Sequence, residues 1–329
     1  MLNRRRFLAG GTSLAFAGSL PALAQADYAD RPIRILVGYA AGGGVDIVAR
    51  LLSDPMKTAL GQPIIVENRT GASAMIAANA VAKAAPDGYT LLMAASGEVA
   101  INQHLFKQQM AYDPSRELTP VALVGVVPCV VVVATDTPVH NPRELIAYAK
   151  ANAGKLSFSS SGVGNPQQLA GELMNSMAGI NVLHVPYRGS APAVTDVATG
   201  AVTMSFSSLA AALPLIKAGK LRAVAVTSKE RMPQLPDVAP LADGAPSLTG
   251  YELLNWFGMF ATAGTSTDIV ERLNDVVNTA LINPSISDKL TEQGIMPRLM
   301  SATEYKAFVD SESEKFGKII EQANIKLAN

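Results

Sequence analysis

Cysteine is almost absent from this 329-residue chain: Cys129 stands alone, inside the apolar run Val126 to Ala134. One thiol forms no internal disulfide, so there is no disulfide framework. A buried small hydrophobe is the expected role, because nothing in its sequence surroundings lowers its pKa. Histidine is nearly as scarce. His104, His140 and His184 are far apart, and no HExxH-type spacing is available for a metal. There is no G-x-S-x-G nucleophile elbow, no G-x-G-x-x-G spacing around Gly42–Gly44, and no lysine after those glycines to complete a P-loop. Enzymatic activity, a metal and a cofactor are therefore not expected. Aromatic residues make up 5 %, which disfavours an aromatic cage. Excess charge is missing too, with 27 basic against 27 acidic residues. No basic stripe is present to grip nucleic acid, and no polybasic segment to hold an anionic membrane.

What is present begins at the N-terminus. Asn3 to Leu8 reads NRRRFL, a run of small and apolar residues follows from Ala9 to Leu20, and Ala24-Gln25-Ala26 has the form of a cleavage site. This is the pattern of a secretory signal peptide over residues 1–26, and Arg4-Arg5 with Phe7-Leu8 resembles the twin-arginine type. The apolar run is shorter than the roughly 20 residues a spanning helix needs. Export to the periplasm is expected. Cleavage removes three arginines, leaving 24 basic against 27 acidic residues, a net charge near −3.

About 300 remaining residues exceed one ordinary core, so two lobes are expected. Apolar runs suited to buried strands occur at 33–37, 64–66, 90–94, 121–127, 130–134, 202–206, 221–227 and 258–261. Helical stretches lie between most of them, at 46–60, 74–84, 142–151, 166–177, 191–199 and 209–217. The alternation predicts an α/β fold of mostly parallel sheets flanked by helices. Two further helices, 268–281 and 303–322, end the chain. Tyr305, Phe308, Val309, Phe316, Ile319 and Ile320 form one apolar face of the last, which is expected to pack back onto the first sheet. The expected division is residues 27–124 with 253–329 in lobe 1 and residues 125–252 in lobe 2. Crossings near Pro128 and 251–261 would form a two-strand hinge that closes around a ligand.

Glycine supplies the strongest local signal. Gly38 to Ile47 reads GYAAGGGVDI, between a strand and a helix. Gly42, Gly43 and Gly44 let a ligand approach the backbone, and the helix start beyond them presents unpaired N–H groups with a partial positive charge. That is a receptor for a carboxylate or phosphate which needs no basic side chain. Ser159 to Leu169, SSSGVGNPQQL, is a second such turn, with Asn165 as N-cap and Pro166 as first helical residue. Tyr187-Arg188-Gly189-Ser190 and Ala95-Ser96-Gly97-Glu98 are a third and a fourth. All lie at the C-terminal ends of strands, where open α/β sheets bind ligands.

IRILVGYAAGGGVD (33–46), QPIIVENRTG (62–71), APDGYTLL (85–92), SSSGVG (159–164), VPYRGSAPAVTD (185–196) and WFGMF (256–260) occur in that order. Together they resemble the Bug family, the periplasmic substrate-binding proteins of tripartite tricarboxylate transporters, across essentially the whole exported chain. The resemblance implies a two-lobed Venus-flytrap periplasmic binding fold, a small organic acid as ligand, and delivery to the membrane subunits of such a transporter. It also implies a monomer, and a grip on one carboxylate by the loops 38–46 and 159–168. The chain departs from the family pattern where Asn165, Pro166 and Gln168 stand in a loop that in the family often has Ser or Thr with a downstream His, where Thr70 stands at a position at which Pro is common, and where Ser73 and Ala74 replace a more usual Gly pair. A ligand-sensing subunit of a two-component system and, less simply, an orphan hydrolase are the alternatives.

The candidate ligand-binding residues are Tyr39, Ala41, Gly42, Gly43, Gly44, Asp46, Ser96, Gly97, Ser161, Gly162, Gly164, Asn165, Gln168, Tyr187, Arg188 and Ser207. Asp46 either orders a donor network or caps its helix; direct contact with an anion is disfavoured by repulsion. Arg188 either pairs with a distal acid group or is solvated. Tyr187 either stacks on the ligand or closes the cleft. Ser207 and Ser208 can donate to a second polar group, Glu98 can select a protonated one, and Asn68 and Arg69 either line the cleft or pair at the surface.

Overall fold

The computed structural model describes residues 28–325 apart from Arg188. The expected signal peptide and the Arg188 candidate lie outside the described residues. The chain opens with β1 (Ile33–Val37), α1 (Gly44–Leu60), β2 (Ile64–Asn68), α2 (Met75–Ala82) and β3 (Thr90–Ala95). Two short helices, α3 (Asn102–Leu105) and α4 (Pro114–Glu117), precede the long strand β4 (Leu118–Pro128). Then come β5 (Val130–Ala134), α5 (Pro142–Ala151), β6 (Ser157–Ser160), α6 (Pro166–Ala178), β7 (Leu183–Pro186), α7 (Ser190–Ala198), β8 (Met204–Ser207), α8 (Leu209–Lys217) and β9 (Leu221–Val226). The last part comprises β10 (Leu254–Thr262), α9 (Thr267–Leu281), α10 (Pro284–Glu292), β11 (Met296–Pro297) and α11 (Ala302–Gln322).

These strands form two sheets. One has the order β11-β4-β10-β3-β1-β2 and the other β7-β6-β8-β5-β9. The expectation of mostly parallel sheets needs correction, because both are mixed. β1 runs parallel to β2 and β3, and β6 parallel to β7 and β8. β10 is antiparallel to β3 and β4, and β5 is antiparallel to β8 and β9. The physical reason lies in the connections. Each βα unit returns its strand in parallel, whereas the strands that pass between the sheets reverse direction when they enter them.

Cys129 alone separates the end of β4 from the start of β5, so the chain leaves one sheet and enters the other within one residue. The neighbouring passage is hydrogen-bonded to it. The Cys129 N–H donates to Thr227 Oγ1 (2.8 Å), the Thr227 N–H to the Cys129 carbonyl (3.0 Å), and the Leu253 N–H to the Thr227 carbonyl (3.0 Å).

The cores follow from the sequence runs. Val130 to Val133 are fully buried on both faces of β5, as a central strand covered by helices requires. α11 starts at a capping box in which Ser301 Oγ accepts the Glu304 N–H and Glu304 accepts the Ser301 N–H. Its residues Tyr305, Val309, Phe316, Ile319 and Ile320 are buried, as expected from their spacing. The Tyr305 and Phe308 rings meet Trp256 of β10 edge-on, with centroids 6.0 and 5.7 Å away. Full burial of a phenylalanine ring contributes about 1.5–3 kcal/mol; Phe308 is half-buried. β11 and α10 have no counterpart in the expected elements: one is two residues long, and the other begins on an Asn283 side-chain cap only three positions after α9 ends.

Candidate functional site

A cavity of about 670 Å³ opens between the two sheets. Four helices begin at its wall. Gly43, Asn165, Gly189 and Ser208 are the N-cap residues of α1, α6, α7 and α8, and all four line the cavity. Each helix follows a strand; β6, β7 and β8 run parallel in one sheet, so α6, α7 and α8 start at the same edge of it, while α1 follows β1 of the other sheet. α6 is capped by its own residue, since Asn165 Oδ1 accepts the Gln168 N–H at 3.0 Å. α1, α7 and α8 have no side-chain cap. First-turn N–H groups of three helices are thus left for whatever occupies the cavity.

The first loop is closed on itself behind the wall. Gly42, at φ +80°, turns its N–H onto Asp46 Oδ2 (2.8 Å). The same oxygen accepts Arg50 Nε (2.9 Å), and Oδ1 accepts Asn68 Nδ2 (2.9 Å), which also donates to the Tyr39 carbonyl. Asp46 is buried and outside the cavity wall. Burial alone raises its pKa, but the bonds from Arg50, Gly42 and Asn68 outweigh this and hold it at about 2. Its helix begins two residues earlier than expected, at Gly44, so Asp46 orders the donor network rather than serving as N-cap. Arg69 pairs with Glu67 (3.2 Å) at the surface.

The second loop is braced by its own glutamines. Gln167 Oε1 accepts the Ser161 N–H (2.7 Å) and Gln168 Oε1 the Gly164 N–H (2.7 Å), while Asn165 Nδ2 donates to Ser161 Oγ (2.7 Å). Gln167 Nε2 reaches across to Ser190 Oγ (3.0 Å), joining the starts of α6 and α7. Underneath, His184 stacks on Phe158 with centroids 4.9 Å apart, and its Nε2 lies 2.7 Å from Ser160 Oγ. Burial pushes its imidazole down to about 4, so the ring is neutral at neutral pH. Gly164, at φ +75°, faces the other lobe, and a Cβ there would stand 2.6 Å from Leu105 Cδ1.

Of the sequence candidates, Tyr39, Gly43, Gly44, Gly97, Ser161, Gly162, Gly164 and Asn165 lie in the wall. Ala41, Gly42, Asp46, Ser96, Gln168, Tyr187 and Ser207 do not. Several of these hold wall residues in place: Ser96 Oγ donates to Asn255 Oδ1 (2.8 Å) and Ser207 Oγ to the Ser208 carbonyl (3.2 Å). The Tyr187 hydroxyl is committed to Asp196 Oδ2 at 2.5 Å. Glu98 is wholly buried behind the wall rather than in it.

Wall residues that sequence reading missed are Ser73, Asn102, Phe106, Asn255, Phe257 and the crossing 127–129. A signal for two of them was present: along β10, Asn255 and Phe257 face the cavity while Trp256 between them packs against α11. Phe257 also explains Gly44, where a Cβ would stand 3.2 Å from the ring. Among the described wall residues there is no Asp, Glu, Lys, Arg or His. The Cys129 thiol joins the apolar floor with Val127 and Pro128, and burial pushes its pKa up to about 12.

Residues 48–325 match the family model described as "Tripartite tricarboxylate transporter family receptor". The chain is 38 % identical over 320 residues to the "UPF0065 protein in tcbD-tcbE intergenic region" of Pseudomonas sp. (strain P51), covering 97 % of this chain and 94 % of that one. The solved structure "R. palustris Rpa4515 with adipate" is 35 % identical with a TM-score of 0.79, covering 91 % of this chain and 99 % of that one. "Structure of periplasmic binding protein BugD" is 32 % identical with a TM-score of 0.74, covering 91 % and 99 %. These likenesses extend over both sheets and place the fold among two-lobed periplasmic binding proteins. The chain belongs to the tripartite tricarboxylate transporter receptor family.

Proposed function

We propose that this protein is a non-catalytic periplasmic receptor that captures a small organic acid, with a linear dicarboxylate as the first candidate, and delivers it to the membrane subunits of a tripartite transporter. The observation that carries this reading is the convergence of four helix N-termini on one cavity whose described wall has no acidic side chain. One helix terminus contributes about 0.3–1 kcal/mol, up to ~2 when partly buried. Micromolar affinity needs about 8 kcal/mol, so direct N–H and hydroxyl bonds and exclusion of water must supply the larger part. The donors are there: three uncapped helix starts, Ser161, Ser190 and Ser208. Between them Val127, Pro128, Phe106 and Phe257 provide an apolar stretch suited to a short methylene chain. The similar structure "R. palustris Rpa4515 with adipate" is named with an acid of this pattern, two polar ends and an apolar middle.

In this reading the signal peptide of residues 1–26, of twin-arginine type, is removed on export. Residues 27–124 with 253–329 and residues 125–252 then close as lobes about the crossings at Cys129 and Leu253, and the monomer presents its closed form to the transporter. Closure driven by the acid requires that it bind the closed state better than the open one. The one thiol among the described wall residues, Cys129, is held protonated by burial, which fits a binding rather than a nucleophilic role for it.

A thermal-shift and calorimetric screen of the exported chain tests the proposal, with adipate, shorter and longer dicarboxylates, tricarboxylates, monocarboxylates and the matching diamides. A ligand at one hundred times its Kd stabilises the fold by about 2.7 kcal/mol. A carboxylate that shifts Tm while its diamide does not is the expected result. Equal shifts by acid and amide, or none by any acid, would overturn it.

A further inference from the structure

Behind the cavity wall lies a carboxyl group that anion capture alone does not explain. Glu98 follows the wall residue Gly97 in the π-helical turn Gly97–Ile101 and is fully buried. π-helical turns are frequent at functional sites. Glu98 Oε2 accepts the Tyr39 hydroxyl at 2.7 Å, and Oε1 accepts the Ala95 N–H at 3.0 Å. Tyr39 and Ala95 are themselves wall residues, and the Tyr39 oxygen lies 3.4 Å from where a Cβ on Gly97 would stand. No cationic side chain donates to Glu98 among the described residues. The ionisable groups facing it are three phenols: Tyr39 from the β1–α1 loop, Tyr112 from the segment before α4, and Tyr305 from α11. β3 and α2 bring none. α3 brings His104, bonded instead to Ser313 of α11, and α4 brings Arg116 and Glu117, of which Glu117 pairs with Lys83.

Counting hydrogens shows what this arrangement does. Tyr39 has one O–H. While Glu98 is ionised, that hydrogen points at Oε2, and the phenol oxygen offers only lone pairs elsewhere, the wrong polarity for an anion. With a proton on Oε2, the carboxyl donates to the Tyr39 oxygen, and Tyr39 turns its own O–H toward the wall. The pair stays hydrogen-bonded in both states, but only the second adds a donor. An anion in the cavity favours that state twice over, by accepting the donor and by repelling a second buried negative charge.

We propose that Tyr39 is a ligand-reading donor set by Glu98, so that capture of an organic anion is accompanied by uptake of a proton at the Glu98 carboxyl. The inference rests on the carboxylate-receptor reading above and deepens it. One proton moves from solvent to Oε2, the Tyr39 proton stays on its oxygen, and no other bond changes. Burial already raises the Glu98 pKa to about 7, so the group is poised to accept it near neutral pH. Because the anion raises that pKa further, affinity is highest at low pH and falls toward tenfold per pH unit as pH rises above about 7, until the bound-state pKa is passed.

The test is calorimetry of the exported chain with adipate at pH 6 and pH 8, in buffers that differ in ionisation enthalpy. At pH 8 both adipate carboxyls are ionised and His184 is neutral, so neither contributes protons there. The expected result at pH 8 is an uptake approaching one proton. Glu98→Gln donates permanently to the Tyr39 oxygen, and is expected to bind at pH 8 as tightly as the unaltered protein does at pH 6, with no uptake. Tyr39→Phe is expected to bind at least tenfold more weakly at pH 6. Adipate binding with no buffer-dependent heat at pH 8 overturns the inference and leaves the receptor reading intact. Unchanged affinity in Tyr39→Phe overturns the donor role. Absence of binding by every acid in the panel overturns both. If Glu98→Gln does not fold, the proton count of the unaltered protein and the Tyr39→Phe affinity decide the matter.

Discussion

Asp46 offers the sharpest test of how the first loop is held. Its carboxylate is 2 % exposed and accepts the Gly42 N–H, Arg50 Nε and Asn68 Nδ2. Its pKa falls from 3.8 to about 2 on folding, a shift of nearly two units worth about 2 kcal/mol at neutral pH. A carboxyl whose folded pKa lies below its unfolded value stabilises the fold above the unfolded pKa, and loses that contribution as pH falls toward the folded one. Asp46→Asn keeps the shape and removes the charge. Urea denaturation should therefore show a loss of about 2 kcal/mol at pH 7, shrinking to about 1 kcal/mol at pH 3. In a chain of this size the pH 7 loss lowers Tm by about 3 °C. Arg50→Ala is the control: the arginine is 53 % exposed, so part of the loss should come from the uncharged donors Gly42 and Asn68 and persist in that background. A loss below about 0.5 kcal/mol at pH 7, or one that grows toward pH 3, would falsify the account of the loop as organised by an ionised Asp46.

Three further perturbations address the packing around the cavity. Gly258→Ala should cost about 3 kcal/mol or abolish soluble expression, because a Cβ there would stand 2.0 Å from the buried Tyr305 oxygen and 2.9 Å from the Ala122 carbonyl; chemical denaturation checks it. His184 has its pKa lowered from 6.5 to about 4 by burial, so it folds neutral, and its contribution is present above about 6.5 and lost as pH falls toward 4. Stability measured against His184→Gln should decline across that window and be level above it. Tyr251→Phe removes the hydroxyl that donates to the buried Ala170 carbonyl at 2.8 Å, and should lower stability by about 1 kcal/mol while leaving ligand affinity unchanged.

The sequence by itself determined the α/β alternation, the two-lobed class and the sites where helices begin beside the cavity. β1, β5, α5 and α8 have the boundaries expected from apolar runs and caps, because strand burial and helix capping depend on neighbours a few residues away. Asn165 and Pro166 begin α6 where their local chemistry requires. Tertiary structure decided the rest. Strand direction was not legible, because β4 and β10 have the same buried composition whichever way they run, and their antiparallel pairing follows from the path of the chain between the sheets. The division of the loop residues into wall and support was equally hidden. Gly43 faces the cavity while Asp46, three positions on, is turned away to bind Gly42, Arg50 and Asn68. Nor does the sequence bring Tyr39 to Glu98, which are 59 residues apart, since only the adjacency of β1 and β3 in one sheet places the phenol over the carboxyl. Local signals fix where a backbone can offer donors. Which side chains complete the site depends on contacts between segments that are distant along the chain.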